Sequence, residues 1–157
     1  MIDLRGKPFY LHDEQIRWVE NTLASMTEAE KLGQLFCLIS YSNDDEAIQK
    51  MLSIKPGGLM CRPMPAADTI GLVSTLQQKS EIPLLISANL EKGGNGISEE
   101  GTFFGTEMQV AATGDDGMAY KLGALCGREG AAVGANWSFS PIIDIDYNFR
   151  NPITNTR

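Results

Sequence analysis

Apolar positions along this chain switch repeatedly between two spacings. From about Asp13 to Ala24, Ile16, Val19 and Leu23 recur at the three- and four-residue interval of a helix. "TEAE", residues 27–30, is a capping box, in which Thr27 accepts from the backbone of Glu30 and Glu30 reaches back. "QLFCLIS", Gln34 to Ser40, is a short apolar run that reads as a buried strand. "NDDEAIQKML" starts the next helix, with Asn43 as its cap and two acids at the positive end of the dipole, and "KPGG" stops it. Gly58 to Arg62 is a second strand, and "AADTIGLVSTLQQKS" a helix with Ile70, Val73 and Leu76 on one stripe. Pro83 opens "PLLISAN", the clearest strand, and a glycine-rich loop follows. Two helical stretches come next, "TEMQVAAT" and "DDGMAYKLGALCGREGAAVG". The second buries Met118, Leu122, Leu125 and Cys126, with Gly134 at C′. "NWSFSPIIDID" reads as the fourth strand.

Strands separated by helices of this length imply parallel βαβ units. The strands are apolar runs without strict alternation, as expected where both faces of a sheet are covered. A doubly wound sheet and a segment of a barrel both fit this pattern, and periodicity does not separate them. No repeat, low-complexity tract or linker interrupts it, so residues 1–157 are expected to form a single domain.

Charge narrows the function classes. A net charge of −7 offers no basic face for nucleic acid and no attraction to anionic membrane surfaces. No stretch approaches the roughly 18 apolar residues of a membrane span, and no basic segment leads into an apolar one near the start. Cys37, Cys61 and Cys126 are far apart and, with the lone His12, make no metal-ligand pattern; reduced thiols in a cytoplasmic protein are the expectation. No cofactor is expected: in "GGNGISEEG" Glu99 stands where a dinucleotide loop needs its third glycine, and two glutamates would repel a phosphate.

In parallel α/β folds ligands gather at the C-terminal ends of the strands. Those ends carry Arg62 after the second strand, Asn89 and Glu91 after the third, and Asp144, Asp146, Asn148, Arg150 and Arg157 after the fourth. Asp144 and Asp146, two apart on a strand, would share a side. They read either as acceptors for sugar hydroxyls or as local partners for arginine and loop backbone. Arg150 reads as a loop-organising partner of an aspartate, and Arg157 as the better ligand-binding fork. Trp137, at the start of a strand, reads as core.

Four segments, in order, resemble the N-terminal barrel domain of glycoside hydrolase family 3, the β-glucosidases and β-N-acetylhexosaminidases. "MTEAEKLGQLF" is similar to the family's lead-in helix and first strand, and "GGLM" to its second strand. "IPLLISANLEKGGNG" resembles the third strand and its Asp-x-Glu-Gly-Gly loop. "EGAAVGANWSFSPIIDIDYNFRNPITNTR" resembles the fourth strand and the Arg-Asn-Pro loop that ends in arginine. The resemblance implies a (β/α)₈ barrel, which needs about 250 residues. This chain would then supply the first half, about four parallel strands with outer helices.

Residue by residue, the resemblance places Asn89 where the family has an aspartate that grips sugar hydroxyls; the amide keeps hydrogen-bonding capacity and loses the charge. Glu91 matches the glutamate before Gly-Gly, with Lys92 inserted, and Asn95 stands where an arginine is common. Arg150 matches the loop arginine, and Arg157 the arginine that reaches the sugar. Asn89, Glu91, Asp144, Arg150 and Arg157 are thus the candidate substrate-binding set. The family's Lys-His pair, nucleophile and general acid/base would fall beyond residue 157, so no catalytic residue is expected in this chain. The implied activity is hydrolysis of β-linked glucosides or N-acetylglucosaminides. A non-catalytic sugar-binding or assembly module, and an unrelated doubly wound ligand-binding domain, are the alternatives. A half barrel would leave two sheet edges, near Leu35–Ile39 and Trp137–Ile145, and uncover Phe36, Leu85 and Ile143. A homodimer, or association with the other half barrel, is therefore expected.

Overall fold

The computed structural model describes residues 2–154 and 157. Helix α1 (Asp13–Ser25) and α2 (Glu28–Gly33) lead into β1 (Cys37–Ser40). Then follow α3 (Asp45–Leu52), β2 (Gly58–Cys61), α4 (Ala66–Lys79), β3 (Leu85–Ala88), a 3₁₀ turn (Gly94–Gly96), α5 (Glu107–Ala111), α6 (Asp116–Ala132) and β4 (Trp137–Ser138). The four strands form one sheet in the order β1-β2-β3-β4, and every pairing is parallel. A sequential order with a helical crossover between neighbours is that of a barrel segment; a doubly wound sheet reverses its order at a switch point.

The register separates two faces. Leu38, Leu59 and Ile86 lie side by side, as do Ile39, Met60, Ser87 and Trp137. The first row, with Cys61 and Ala88, packs against Ile48, Leu72, Val73, Leu76, Leu122 and Cys126 in one continuous core between sheet and helices. The second row faces away from the helices, and Ile39, Leu85 and Trp137 on that face are exposed.

The capping box at the start of α2 forms as expected: the Glu30 amide donates to Thr27 Oγ1 at 3.3 Å, and the Thr27 amide to Glu30 Oε2 at 2.8 Å. Gly134 follows the C-cap Val133 of α6 at φ +96°, the C′ geometry that favours glycine. Asn43 is not the cap of α3. Asp44 is, accepting from the Ala47 amide at 2.8 Å. The stripe of α4 is rotated from expectation: Ile70 is exposed, while Thr69, Leu72, Val73 and Leu76 are buried. A threonine tolerates that position because its hydroxyl donates to the Ile97 carbonyl at 3.3 Å, so no polar atom is buried alone.

The first strand is shorter than expected, beginning at Cys37, because residues 34–36 still turn out of α2. The fourth strand shrinks to Trp137–Ser138. Its ladder runs on through the Phe139 amide to the Ala88 carbonyl at 3.2 Å and then stops. Past that point β3 has turned into its loop, Pro141 has no amide to give, and residues 140–146 meet no second strand.

Candidate functional site

The loops after β2 and β3 and the segment that ends at Arg157 enclose a cleft of about 390 Å³. Arg62, Asn89, Glu91, Lys92, Asn95 and Arg157 supply its polar lining, with Pro152 and Ile153 as apolar wall. It sits at the C-terminal ends of β2 and β3, where parallel α/β folds hold ligands. A second cleft of about 310 Å³, around Lys55, lies at the opposite ends of the strands, beside Gln34, Pro56 and Leu84. A wider, mainly apolar groove of about 600 Å³ runs between α5 and α6. Glu91 borders that groove as well as the polar cleft.

The central contact of the polar cleft joins its two sides. Arg157 donates from Nε to Glu91 Oε2 at 3.0 Å and from Nη2 to Glu91 Oε1 at 3.2 Å. The Glu91 side chain is only 12 % exposed, so the pair is largely shielded from water. A planar fork on a planar carboxylate fixes orientation as well as distance. The Arg157 amide also donates to the Thr154 carbonyl at 3.0 Å.

The β3 loop that carries Asn89 and Glu91 is tied to its surroundings by side chains that the sequence did not flag. Glu100 accepts from the Ala66 amide, at the start of α4, at 2.8 Å, and from the Ser98 hydroxyl at 2.7 Å. The Ser98 hydroxyl, followed by the Ala66 amide, holds the Glu100 carboxyl below the ordinary carboxylate range. Glu107 on α5 accepts from the Ile142 amide at 2.9 Å and fixes the chain leaving β4. The only available signal for these contacts was a glutamate near a glycine-rich turn, and that signal does not name the partner.

Of the five expected site residues, Asn89, Glu91 and Arg157 come together in the cleft. Asp144 and Arg150 do not line it; both are exposed. The aspartate pair is not on a strand, so its expected shared face does not arise. Asp146 instead accepts from the Thr154 hydroxyl at 3.0 Å. Nor does Arg150 pair with an aspartate: its guanidinium lies over the Phe149 ring, 5.5 Å from the centroid. Trp137 is 40 % exposed, and its ring meets Phe139 edge-on at 4.6 Å. It lies on the sheet face turned away from the helices, not in the core between sheet and helices. His12 sits at the head of α1, where its amide donates to the Gln15 side chain at 3.1 Å. Among the described residues no group of three His, Cys, Asp or Glu side chains is placed to hold a metal, and no helix is long and apolar enough to cross a membrane.

Residues 27–157 match the family described as glycosyl hydrolase family 3 N terminal domain. The whole chain is 51% identical to a β-N-acetylglucosaminidase/β-glucosidase of Cellulomonas fimi and spans 28% of that protein. Over 58% of the chain it is 35% identical to β-hexosaminidase A of Pseudoalteromonas piscicida, covering 17% of that protein. Among solved structures, a β-glucoside phosphorylase, BglX, bound to 2FGlc superimposes with a TM-score of 0.84 at 46% identity. That match covers 95% of this chain and 27% of the phosphorylase. A family 3 β-N-acetylglucosaminidase from Paenibacillus sp. str. FPU-7 superimposes with a TM-score of 0.72 at 28% identity, over 82% of this chain and 26% of its own. The chain thus spans between 17% and 28% of the proteins it resembles, and its sheet is the first part of a barrel. By sequence and by fold, it belongs to the glycosyl hydrolase family 3 N-terminal domain.

Proposed function

We propose that this chain is the N-terminal portion of a glycosidase acting on β-linked glucosides or N-acetylglucosaminides in carbohydrate metabolism, and that it supplies one wall of the sugar site. The observation that carries this reading is the Glu91–Arg157 pair beside Asn89 at the strand ends. The pair uses two of the five N–H donors of the guanidinium, and the others suit the paired hydroxyls of a pyranose. Asn89 offers one acceptor and one donor group to the same ring. A retaining glycosidase needs two carboxyl-level groups about 5–5.5 Å apart across the glycosidic bond. Asp144 and Asp146 are exposed and do not line the cleft, so that chemistry is assigned to residues outside this chain.

The test uses the parent enzyme, made as this chain joined to the sequence that completes the barrel. Nitrophenyl β-glucoside and β-N-acetylglucosaminide are expected to turn over with the complete barrel and not with the 157-residue chain alone. Arg157→Ala is expected to lower kcat/KM about 10- to 100-fold, the loss of one or two charged hydrogen bonds. Turnover by the chain alone, surviving repurification, would refute the assignment.

A second reading concerns the acceptor. Arg62, Lys92 and Arg157 line the cleft against the single carboxylate of Glu91, a local excess of positive charge in a chain of net charge −7. That excess favours an anionic acceptor such as phosphate over water, and one of the similar structures is a β-glucoside phosphorylase. Cleavage in phosphate buffer would then yield a glycosyl phosphate. Formation of the free sugar alone, at a rate independent of phosphate, would exclude this reading. Two further assignments belong to this proposal. The free thiols of Cys37, Cys61 and Cys126 support a cytoplasmic setting. The uncovered sheet face supports association with a second copy or with the other half barrel.

A further inference from the structure

Glu91 is bracketed by two neighbours on α6. On its N-terminal side, Leu90 is buried against Gly130: a Cβ placed on that glycine would lie 2.7 Å from Leu90 Cδ1. On its C-terminal side, the loop returns to Glu129. The carboxylate of Glu129 accepts from the Thr102 amide at 2.8 Å on Oε2 and from the Thr102 hydroxyl at 2.6 Å on Oε1. Gly94 lies so close that a Cβ there would meet Glu129 Oε2 at 2.0 Å. The two limbs of the loop are themselves fastened together, because the Lys92 carbonyl accepts from the Phe104 amide at 2.7 Å and the Gly105 amide at 3.3 Å. A displacement of Thr102 must therefore carry residues 92–94 with it, and Glu91 is the next residue along. The Thr102 hydroxyl, the largest influence, holds the Glu129 carboxyl below its ordinary range, so it is an ionised acceptor at neutral pH.

We propose that Glu129 is a positioning residue of the cleft: by pinning Thr102 it fixes Glu91, and through Glu91 it sets the orientation of the Arg157 guanidinium. The inference rests on the reading of Glu91 and Arg157 as part of the sugar site, although the clamp itself is defined without any sugar. Glutamate suits this donor set, because both of its oxygens accept. Two donors converge from the loop, the amide and the hydroxyl of Thr102, one on each carboxylate oxygen. Glutamine would keep one acceptor and lose the charge that strengthens both bonds. Glu129 touches neither the cleft nor Arg157, so any effect it has on the site passes through the loop.

The experiment is amide exchange and side-chain NMR on the 157-residue chain without ligand. Glu91→Gln first identifies the Arg157 Nε–H signal, which it must shift. Glu129→Gln is then expected to speed exchange of the Thr102 amide about tenfold or more and to move the Arg157 Nε–H signal in the same direction as Glu91→Gln. A faster Thr102 amide with an unmoved Arg157 signal would overturn the proposal, leaving Glu129 as a support of the loop alone. An unaltered Thr102 amide would overturn it too. Should Glu129→Gln unfold the chain, Thr102→Val, which removes one donor and keeps the amide, decides by the same Arg157 signal. In the complete enzyme, Glu129→Gln combined with Glu91→Gln is expected to lose no more kcat/KM than Glu91→Gln alone; additive losses would show a different route. Failure of the sugar-site reading would appear separately, as an Arg157→Ala enzyme with unchanged kcat/KM while the NMR coupling persists.

Discussion

Arg157 and Glu91, 66 residues apart in the chain, meet side-on through two hydrogen bonds of 3.0 and 3.2 Å. This contact ties the segment after β4 to the loop after β3. Neither partner sits in a regular element, so the pair holds what the sheet does not. Of the cations that line the cleft, Arg157 is the one so fixed; Arg62 and Lys92 make no ion pair among the described residues.

Replacing Glu91 by Gln is expected to destabilise the chain by about 1–2 kcal/mol, the scale of losing charge-assisted bonds to a group that stays in place. Arg157→Lys should lose part of that stability, because an ammonium keeps the charge and not the fork. Urea midpoints of the two variants against the parent chain check both. Equal midpoints for all three would mean that the pair is solvent-screened and structurally idle.

The pair also marks where sequence reasoning reached and where it ended. Helical spacing and capping residues located α1, α2 and α6, because both are local properties carried by adjacent residues. The parallel sheet followed from strand–helix alternation. The fourth strand was read too long because an apolar run such as "FSPIIDID" looks the same whether or not a neighbouring strand exists to bond it. That error carried Asp144 and Asp146 onto a strand face they do not have. Asn89, Glu91 and Arg157 were legible as candidates at the strand ends, Glu91 and Arg157 by their match to family motifs and Asn89 as a departure from one. Glu100 and Glu129 were not, since each acts on a backbone amide, and amides carry no sequence signature.

Gly93 has φ +136°, and a Cβ at that position would lie 1.9 Å from the Thr102 carbonyl oxygen. Both the backbone region and the space exclude a side chain. Gly93→Ala is therefore expected to cost about 2 kcal/mol or more and to loosen the whole β3 loop. Proteolytic cleavage within residues 91–105 should rise more than cleavage elsewhere. Uniform protection along the chain would show that the loop accommodates the methyl group.

At the other end of the strands, Lys55 bridges two carboxylates, with Nζ 2.6 Å from Glu30 Oε1 and 3.1 Å from Glu81 Oε2. The Lys55 ammonium, with the Thr27 donors of the capping box, lowers the Glu30 carboxyl from 4.5 to about 2. A depressed carboxyl stabilises the fold above its unfolded pKa, and that contribution disappears as pH falls through the folded value. The stability difference between the parent chain and Lys55→Met should thus be constant above pH about 5 and shrink between about 4.5 and about 2. Urea midpoints measured at several pH values check this. A difference that persists at pH 2 would assign the effect of Lys55 to packing and not to charge.

The uncovered sheet face predicts the state of the chain in solution. Ile39 is 45% exposed, Leu85 51% and Trp137 40%, on three of four adjacent strands and on the side away from the helices. The chain beyond β4 adds Ile143 at 86% and Ile145 at 67%. These exposed side chains flank Met60 and Ser87 of the same face, which are buried, and exposed apolar surface of this extent is rare on a stable monomer. Strand β1 is also an open edge, with unpaired backbone groups along Cys37–Ser40. β4 is an edge as well, though its ladder covers two residues. A second copy could cover the face and cap the edges, and a two-fold arrangement would use the same surface on both partners. Light scattering at low micromolar concentration is therefore expected to report a dimer. Leu85→Glu, which places a charge in the middle of the face and touches none of the cleft residues, should shift it to monomer without loss of helical signal. A monomeric parent chain that binds no hydrophobic dye would contradict the open-face picture. The sheet would then have to be covered in solution by its own flanking segments, and 139–154 would be the first to examine by hydrogen exchange.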